Sequence, residues 1–194
     1  MASPASSTAS DEAPAIRMVA VIGAGKAGRS FALACAAAGF HVVLEDVMPE
    51  KLRQAEADFS DMRLHAAPGL LELATTVEDA VHAADIAVDF VPDELESKLE
   101  ILSLLDRMAP PRTILCTPTN GISITDLASC TYRDDRCLAV RGILGQSVRL
   151  LYPASANPSA LDQAKKFLEL IGNEVTAEPD PDLPMLMKNI VYTR

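Results

Sequence analysis

The sequence predicts an α/β fold: a single domain with a doubly wound, mostly parallel sheet covered by helices on both faces. From Arg17 onward, short apolar runs alternate with helical segments, which is the pattern of parallel strands joined by crossover helices. The composition is 49% hydrophobic but only 4% aromatic, so aliphatic side chains must form the core. A chain of 194 residues has the length of one such domain.

The first predicted strand, helix and second strand follow one another without interruption. An apolar run over 18–22 ends in the sequence GAGKAG, a small-residue helix continues to Ala38, and a second apolar run over 42–44 ends at Glu45 and Asp46. In a GxGxxG loop the first glycine permits a tight turn and the second lets a pyrophosphate approach the backbone. The third lets the helix pack closely on the strand.

Gly23, Gly25 and Gly28 occupy these three positions, with Lys26 and Ala27 between the last two. The helix that begins here offers unpaired N–H groups and the positive end of its dipole to phosphates. The segment therefore predicts a Rossmann-like site for a dinucleotide. A glycine-rich turn that packs an α/β fold without binding a nucleotide is the alternative.

Two carboxylates stand at the end of the second predicted strand. Asp46, 23 positions after Gly23, stands where a carboxylate accepts hydrogen bonds from the adenosine ribose. Together with Glu45 it would repel a 2′-phosphate, and the nearest basic residue after it is Lys51. We therefore predict NAD(H) as the cofactor in preference to NADP(H).

The remaining pattern predicts the other elements in chain order. Thr76 and the three residues after it resemble the start of a capped helix, and the leucines of 94–108 are spaced for an amphipathic helix. We predict helices over 49–58, 76–84, 94–108, 124–129 and 159–171, strands over 71–74, 85–91, 113–116, 138–140, 148–151 and 174–177, and an irregular stretch over 60–68.

The two ends are predicted to lie outside the folded domain of 16–182. Residues 1–15 are rich in Ala, Ser and Pro and are expected to be a disordered tail. Residues 183–194 are largely apolar, and we expect them either to fold back over the domain or to pair two copies as a homodimer.

Several classes of partner are disfavoured by composition. The net charge of −10 gives no basic surface for nucleic acid or anionic lipid. No apolar run approaches the ~20 residues of a membrane span. No secretory signal is seen, so a cytoplasmic location is expected. The four cysteines lack metal-ligand spacing, and Cys35 and Cys116 have the setting of buried free thiols.

Longer segments resemble the NAD-binding domain of 3-hydroxyacyl-CoA dehydrogenases. They are VAVIGAGKAGRSFALACAAAGFHVVLEDVMPEKL, ATTVEDAVHAADIAVDFVPDELESK, LDRMAPPRTILCTPTNGISITDLA and residues 184–189. The resemblance implies an NAD-dependent oxidoreductase of fatty acid metabolism. It also implies that Asp93 and Lys98 lie near the nicotinamide half of NAD. We expect Val91, Pro92 and Asn120 to contact the cofactor as well.

The sequence departs from this family at the residues that carry its chemistry. Asn120 stands where the family has a serine that binds the substrate oxygen, and Arg141 stands where it has a histidine base. The glutamate that orients the histidine falls near Leu151. Because arginine stays protonated in proteins, Arg141 cannot act as the base. It could clamp a carboxylate or phosphate, or be a surface residue.

The three histidines, at 41, 65 and 82, all precede the fourth predicted strand, so none of them stands where the family has its base. Two larger features of the family are also expected to be missing. The helical excursion after the second strand is shortened, and the family continues past the position of Asn189 into a helical domain. The resemblance and these departures together favour the hypothesis of an NAD(H)-binding protein that has lost the family reaction and serves as a cofactor-binding or regulatory protein.

Two alternatives stay open at this point. The chain could be an oxidoreductase for a different substrate, using Thr119, Asn120 or Arg141 with a separate helical-domain partner for the rest. It could also be a remnant whose fold is kept for protein contacts alone.

Overall fold

A computed structural model describes residues 16–181, which form one eight-stranded sheet with helices on both faces. The strands are β1 (Met18–Ile22), β2 (His41–Glu45), β3 (Leu70–Ala74), β4 (Ile86–Asp89), β5 (Ile114–Pro118), β6 (Cys137–Gly142), β7 (Ser147–Tyr152) and β8 (Glu174–Pro179). The helices are α1 (Lys26–Ala37), α2 (Pro49–Arg63), α3 (Val77–Val81), α4 (Leu95–Met108), α5 (Ile124–Ala128) and α6 (Pro158–Leu170), with one 3₁₀ turn at Asp134–Arg136. The predicted α/β fold with a doubly wound, mostly parallel sheet is confirmed.

The strand order places a topological switch point in the middle of the sheet. The order is β3-β2-β1-β4-β5-β6-β7-β8, and β1 to β6 are parallel. Strand β7 runs antiparallel to β6, and β8 is parallel to β7. The chain moves outward from β1 through β2 to β3 and then returns to the other side of β1 as β4. In such sheets ligands bind above the carboxyl ends of the strands at this reversal.

Two apolar layers hold the helices against the sheet. One layer joins α1, α2 and α6 to one face, with Phe31, Phe59 and Phe167 among its buried members. The other joins α3, α4 and α5 to the opposite face, through Val81, Leu102 and similar aliphatic side chains. Alternate residues of each strand enter alternate layers, as the two-residue period of a strand requires.

The structure corrects several predicted boundaries: α3 ends at Val81 rather than 84, and β5, β6 and β8 each extend two residues beyond the prediction. Two further boundaries have a clear physical reason. Helix α2 ends at Arg63 rather than 58, because Phe59 is buried and Met62 packs against the core at helical spacing from it. Strand β4 ends at Asp89, two residues before the prediction, because the chain turns there into the loop that begins with Phe90. The predicted cap of α3 is confirmed, since the Thr76 hydroxyl accepts a hydrogen bond from the Asp79 N–H.

The structure also bears on the predictions for the cysteines, Arg141 and the two ends of the chain. Cys35 and Cys116 are buried and free. Arg141 is not a surface residue, because its side chain on β6 is buried. No helix within residues 16–181 is long and apolar enough to cross a membrane. The predicted tail at 1–15 and the apolar segment at 183–194 lie outside the described residues.

Candidate nucleotide-binding site

The glycine loop between β1 and α1 has a geometry that only glycine permits at two positions. Gly23 has a φ of +97°, a left-handed conformation that side chains rarely adopt. A methyl group added at Gly28 would lie 1.9 Å from the Gly23 carbonyl oxygen. The first turn of α1 therefore packs directly on the loop, as the sequence predicted for the first and third glycines.

Gly25 differs from its two neighbours because its missing side chain faces open space. A methyl group added there would meet no atom within 4 Å. Gly25 is also the residue that caps α1, and α1 has neither a side-chain cap nor an acidic residue in its first turn. The N–H groups of Lys26, Ala27 and Gly28 thus stand at the positive end of the helix dipole, where an anion is favoured.

Asp46 is tied to the glycine loop and to the start of α2. One carboxylate oxygen accepts a hydrogen bond from the Ala24 N–H at 2.8 Å, and the other accepts one from the Met48 N–H at 2.9 Å. Burial by itself would raise the pKa of Asp46, but these hydrogen bonds and the charge of Lys51 outweigh it and lower the pKa. Asp46 is therefore ionised near neutral pH.

Lys51 lies closer to this carboxylate than its position in the sequence suggested. Because α2 begins at Pro49, its first turn brings the Lys51 ammonium to 3.0 Å from the Asp46 carboxylate. The Lys51 side chain is about half exposed. The ribose end of the site thus contains a cation as well as the predicted anions.

A groove of about 600 Å³ runs along the carboxyl ends of β1, β2 and β4, and we call it the switch-point groove. Its size is that of a typical small-molecule site. It is lined by Ile22, Gly23, Gly25, Glu45, Asp46, Val47, Lys51, Val77, Phe90, Val91, Pro92 and Ile101. The groove therefore collects residues from both sides of the topological reversal.

Glu45 is a buried carboxyl group in the wall of this groove. It is 5% exposed, and no described residue donates a hydrogen bond to its side chain. Burial and the neighbouring charge of Asp46 raise the pKa of Glu45, and Lys51 partly offsets them. Glu45 and Asp46 thus have opposite pKa shifts, because only Asp46 has hydrogen-bond donors.

The loops that follow β4 and β5 are joined by a hydrogen bond across the sheet edge. The Asn120 N–H donates to the Asp93 carboxylate at 2.8 Å, and both residues are exposed. Below them, Thr119 is buried, and its hydroxyl accepts a hydrogen bond from the Ile122 N–H. Two of the predicted cofactor residues, from different loops, are therefore neighbours in space.

Lys98 does not lie at the surface as a direct cofactor contact would. Its side chain is 1% exposed, and its ammonium donates to the Asp89 carboxylate at 2.7 Å. Asp89 ends β4 and Lys98 lies in the first turns of α4. The pair fixes both ends of the loop that carries Val91, Pro92 and Asp93, so Lys98 supports this loop from beneath.

Arg141, on β6, has a similar structural setting. It is buried, and its guanidinium donates to the Ile122 carbonyl at 2.9 Å. It thus holds the segment between β5 and α5, where Ser123 caps α5 and also donates to Asp180 at 2.7 Å. The carboxyl ends of β5 and β6 are tied to the chain after β8 by these contacts.

The structure brings most of the predicted cofactor residues to one edge of the sheet. Six of them line the switch-point groove, namely Gly23, Gly25, Glu45, Asp46, Val91 and Pro92. Sequence reasoning missed the groove residues Ile22, Val47, Lys51, Val77, Phe90 and Ile101. The spacing of Lys51 after Asp46 was a usable signal, whereas Val77 and Ile101 enter through tertiary packing. No cluster of metal-ligating residues occurs within 16–181.

These features fit a dinucleotide on physical grounds. The open space at Gly25 and the uncapped start of α1 accommodate a pyrophosphate. The ionised carboxylate of Asp46 is a hydrogen-bond acceptor for ribose hydroxyls. Apolar side chains on both sides of the groove can hold a flat ring.

Comparison with known proteins agrees with this geometry. Residues 18–141 match the family model of the 3-hydroxyacyl-CoA dehydrogenase NAD-binding domain. A probable 3-hydroxybutyryl-CoA dehydrogenase of Bacillus subtilis is 31% identical over 138 residues, covering 64% of this chain and 48% of that protein. The mitochondrial hydroxyacyl-coenzyme A dehydrogenase of Homo sapiens is 35% identical over 152 residues, covering 68% of this chain and 48% of the relative.

Solved structures show the same fold. The crystal structure of (S)-3-hydroxybutyryl-CoA dehydrogenase from Ralstonia eutropha superposes with a TM-score of 0.75 at 21% identity, covering 86% of this chain and 64% of that one. The present chain spans about half the length of the curated relatives cited above. The family match covers the glycine loop, Asp46 and the β4 and β5 loops. The chain therefore belongs to the family of the 3-hydroxyacyl-CoA dehydrogenase NAD-binding domain, and its cofactor is NAD.

Proposed function

We propose that the chain binds NAD(H) in the switch-point groove and does not by itself catalyse the 3-hydroxyacyl-CoA dehydrogenase reaction. The observation that carries this proposal is the contrast between the two halves of the sheet edge. The half at β1, β2 and β4 holds the glycine loop, Asp46 and a groove of suitable size. The half at β5 and β6 has Asn120 and Arg141 where the resemblance implies the family's serine and histidine.

Individual roles follow from the position of each residue. We assign the pyrophosphate to Gly23, Gly25, Lys26, Ala27 and Gly28, and the adenosine to Glu45 and Asp46. We assign the nicotinamide side to Val91, Pro92, Asp93 and Asn120, and give Lys98 an indirect part through its pair with Asp89.

The positions of the histidines support the absence of a general base in this chain. His41 begins β2, at the opposite edge of the sheet from the groove, and pairs with Glu72. His65 and His82 follow the ends of α2 and α3, helices that begin at the carboxyl edge and lead away from it. A base must lie within hydrogen-bond reach of the hydroxyl whose proton it removes.

A second candidate function is oxidation or reduction of a different substrate, with a partner chain completing the site. Thr119 and Asn120 lie beside Asp93 at the carboxyl edge, where polar groups could orient a substrate next to the nicotinamide. This candidate requires a proton acceptor from outside the chain, or a substrate whose reaction needs none.

NADH consumption with acetoacetyl-CoA, followed by absorbance at 340 nm, distinguishes the two candidates. We expect NADH to bind, as measured by calorimetry, while turnover stays undetectable, because loss of a general base alone costs about 10² to 10⁴ in rate. Steady consumption that scales with protein and is abolished by Gly25→Trp would show that the chain is a complete enzyme. Activity that appears only when a second protein from the same source is added would favour the partner-dependent oxidoreductase.

We also propose that two copies pair through the apolar segment 183–194 as a homodimer, or that a separate helical-domain partner covers it. The sequence LPMLMKNIVY contains several large apolar side chains. Its methionines are flexible and adapt well to the surface of a partner protein. Sedimentation at tens of micromolar protein should show a dimer. A monomer whose segment is readily removed by protease would refute the dimer.

A further inference from the structure

The switch-point groove contains one buried polar group without a hydrogen-bond partner in the described chain, the carboxyl of Glu45. Glu45 is 5% exposed to solvent and lines the groove. Its unpartnered oxygens are not fully sealed from solvent. Part of the residual exposure therefore lies on the carboxyl group of a residue that lines the groove.

The environment of Glu45 differs from that of the neighbouring Asp46. Asp46 accepts hydrogen bonds from two backbone N–H groups and pairs with Lys51. Glu45 is the last residue of β2, and its side chain points to the face of the sheet where α3 and α4 pack. A buried carboxylate that lacks donors is unfavourable unless a ligand supplies one.

The direction of the groove identifies the part of the ligand that reaches Glu45. Phosphates belong at Gly25 and the start of α1, and the ribose belongs at Asp46. The base attached to that ribose is then expected farther from the phosphates, in the part of the groove that the apolar side chains of Val77 and Ile101 help to line. Adenine carries an exocyclic amino group at C6, which is an N–H donor.

We propose that Glu45 is a specificity residue that accepts a hydrogen bond from the adenine amino group and so selects adenine over purines that carry an oxygen at C6. This inference rests on NAD binding in the switch-point groove. Hypoxanthine has an oxygen at C6 in place of the amino group. Opposite this oxygen, Glu45 would face an acceptor in place of the amino donor, and the N1–H at the neighbouring ring position would be the remaining donor on this edge of the base.

Calorimetric titration with NAD⁺ and with nicotinamide hypoxanthine dinucleotide tests the inference on the full chain. We expect the unmodified protein to bind NAD⁺ about 10- to 100-fold more tightly, the range of a hydrogen bond to a charged group. Glu45→Leu should bind both dinucleotides equally. Glu45→Gln should also reduce the preference, because the glutamine amide can donate to the oxygen of hypoxanthine.

A matched control is Glu100→Gln, which removes an exposed carboxylate on α4 and should keep the preference. Thermal unfolding verifies that each variant is folded, and Glu45→Gln preserves side-chain volume if Glu45→Leu does not fold. Equal affinity of the unmodified protein for both dinucleotides would overturn the role of Glu45 and leave NAD binding intact. A preference that survives in Glu45→Leu would overturn it as well. Absence of binding to either dinucleotide would refute NAD binding itself.

Discussion

Replacing the second and third glycines of the loop by alanine should separate nucleotide binding from folding. In Gly28→Ala the new methyl group would lie 1.9 Å from the Gly23 carbonyl oxygen and 3.2 Å from the Phe90 Cβ. The loop and the helix must separate by about 1 Å before this contact is tolerable. In Gly25→Ala the methyl group meets no atom within 4 Å, and the backbone φ of −61° suits alanine.

The two variants therefore have different expected results. Helix propensity alone would make Gly28→Ala stabilising by up to about 1 kcal/mol, but overpacking costs about 1–3 kcal/mol. We expect a net loss of stability, at about 2–4 °C of Tm per kcal/mol for a chain of this size. Gly25→Ala should keep its Tm and lose at least about tenfold in NADH affinity, because the methyl group occupies the approach of the pyrophosphate.

Differential scanning calorimetry and NADH titration measure the two effects on the same samples. Gly121→Ala serves as the control, because its methyl group also meets no atom within 4 Å and lies outside the groove. A Gly28→Ala protein as stable as the control would refute the packing argument. A Gly25→Ala protein that binds NADH with unchanged affinity would refute the assignment of the pyrophosphate.

Four further predictions concern single side chains. Asp46→Ala should weaken NADH binding at least about tenfold and NADPH binding less, since Lys51 stays at the ribose; titration of both cofactors tests this, and an unchanged preference for NADH would contradict it. The pKa of Asp46 is lower in the folded protein than its ordinary value of 3.8, so ionised Asp46 stabilises the fold fully above pH 3.8. This stabilisation should disappear as the pH falls through the folded-state pKa. The difference in unfolding free energy between Asp46→Asn and the unmodified protein should shrink over that pH range. Lys98→Met leaves Asp89 buried without its partner and should cost about 3–5 kcal/mol in denaturant unfolding, whereas a loss below about 1 kcal/mol would indicate that Lys98 is not needed to support the loop. Ellman's reagent should modify one thiol of the native chain, that of the exposed Cys130, because burial raises the pKa of the other three thiols; rapid modification of more than one would contradict the buried arrangement.

The parts of the candidate site that sequence alone can bring together are those built from neighbours along the chain. The glycine loop, the start of α1 and Asp46 lie within one strand–helix–strand unit, so their spacing is enough to place them. These features needed no knowledge of how distant elements pack. The switch point itself depends on β4 lying on the other side of β1 from β2, which the structure shows.

The parts that the sequence did not predict depend on contacts between distant elements. Lys98 is buried because α4 packs its first turns over the end of β4, which brings the ammonium to Asp89. The burial of Arg141 depends on the segment between β5 and α5, whose Ile122 carbonyl accepts its hydrogen bond. The buried position of Glu45 depends on α3 and α4 covering that face of β2.

Calorimetric titration of the purified 194-residue chain with NADH is the most direct test of the central claim. We predict saturable binding of one NADH per chain. Binding should be lost in Gly25→Trp and weakened in Asp46→Ala, and circular dichroism should show that both variants are folded. If no heat of binding appears at millimolar NADH with a folded protein, or if Gly25→Trp binds NADH as the unmodified chain does, the switch-point groove is not the NAD site.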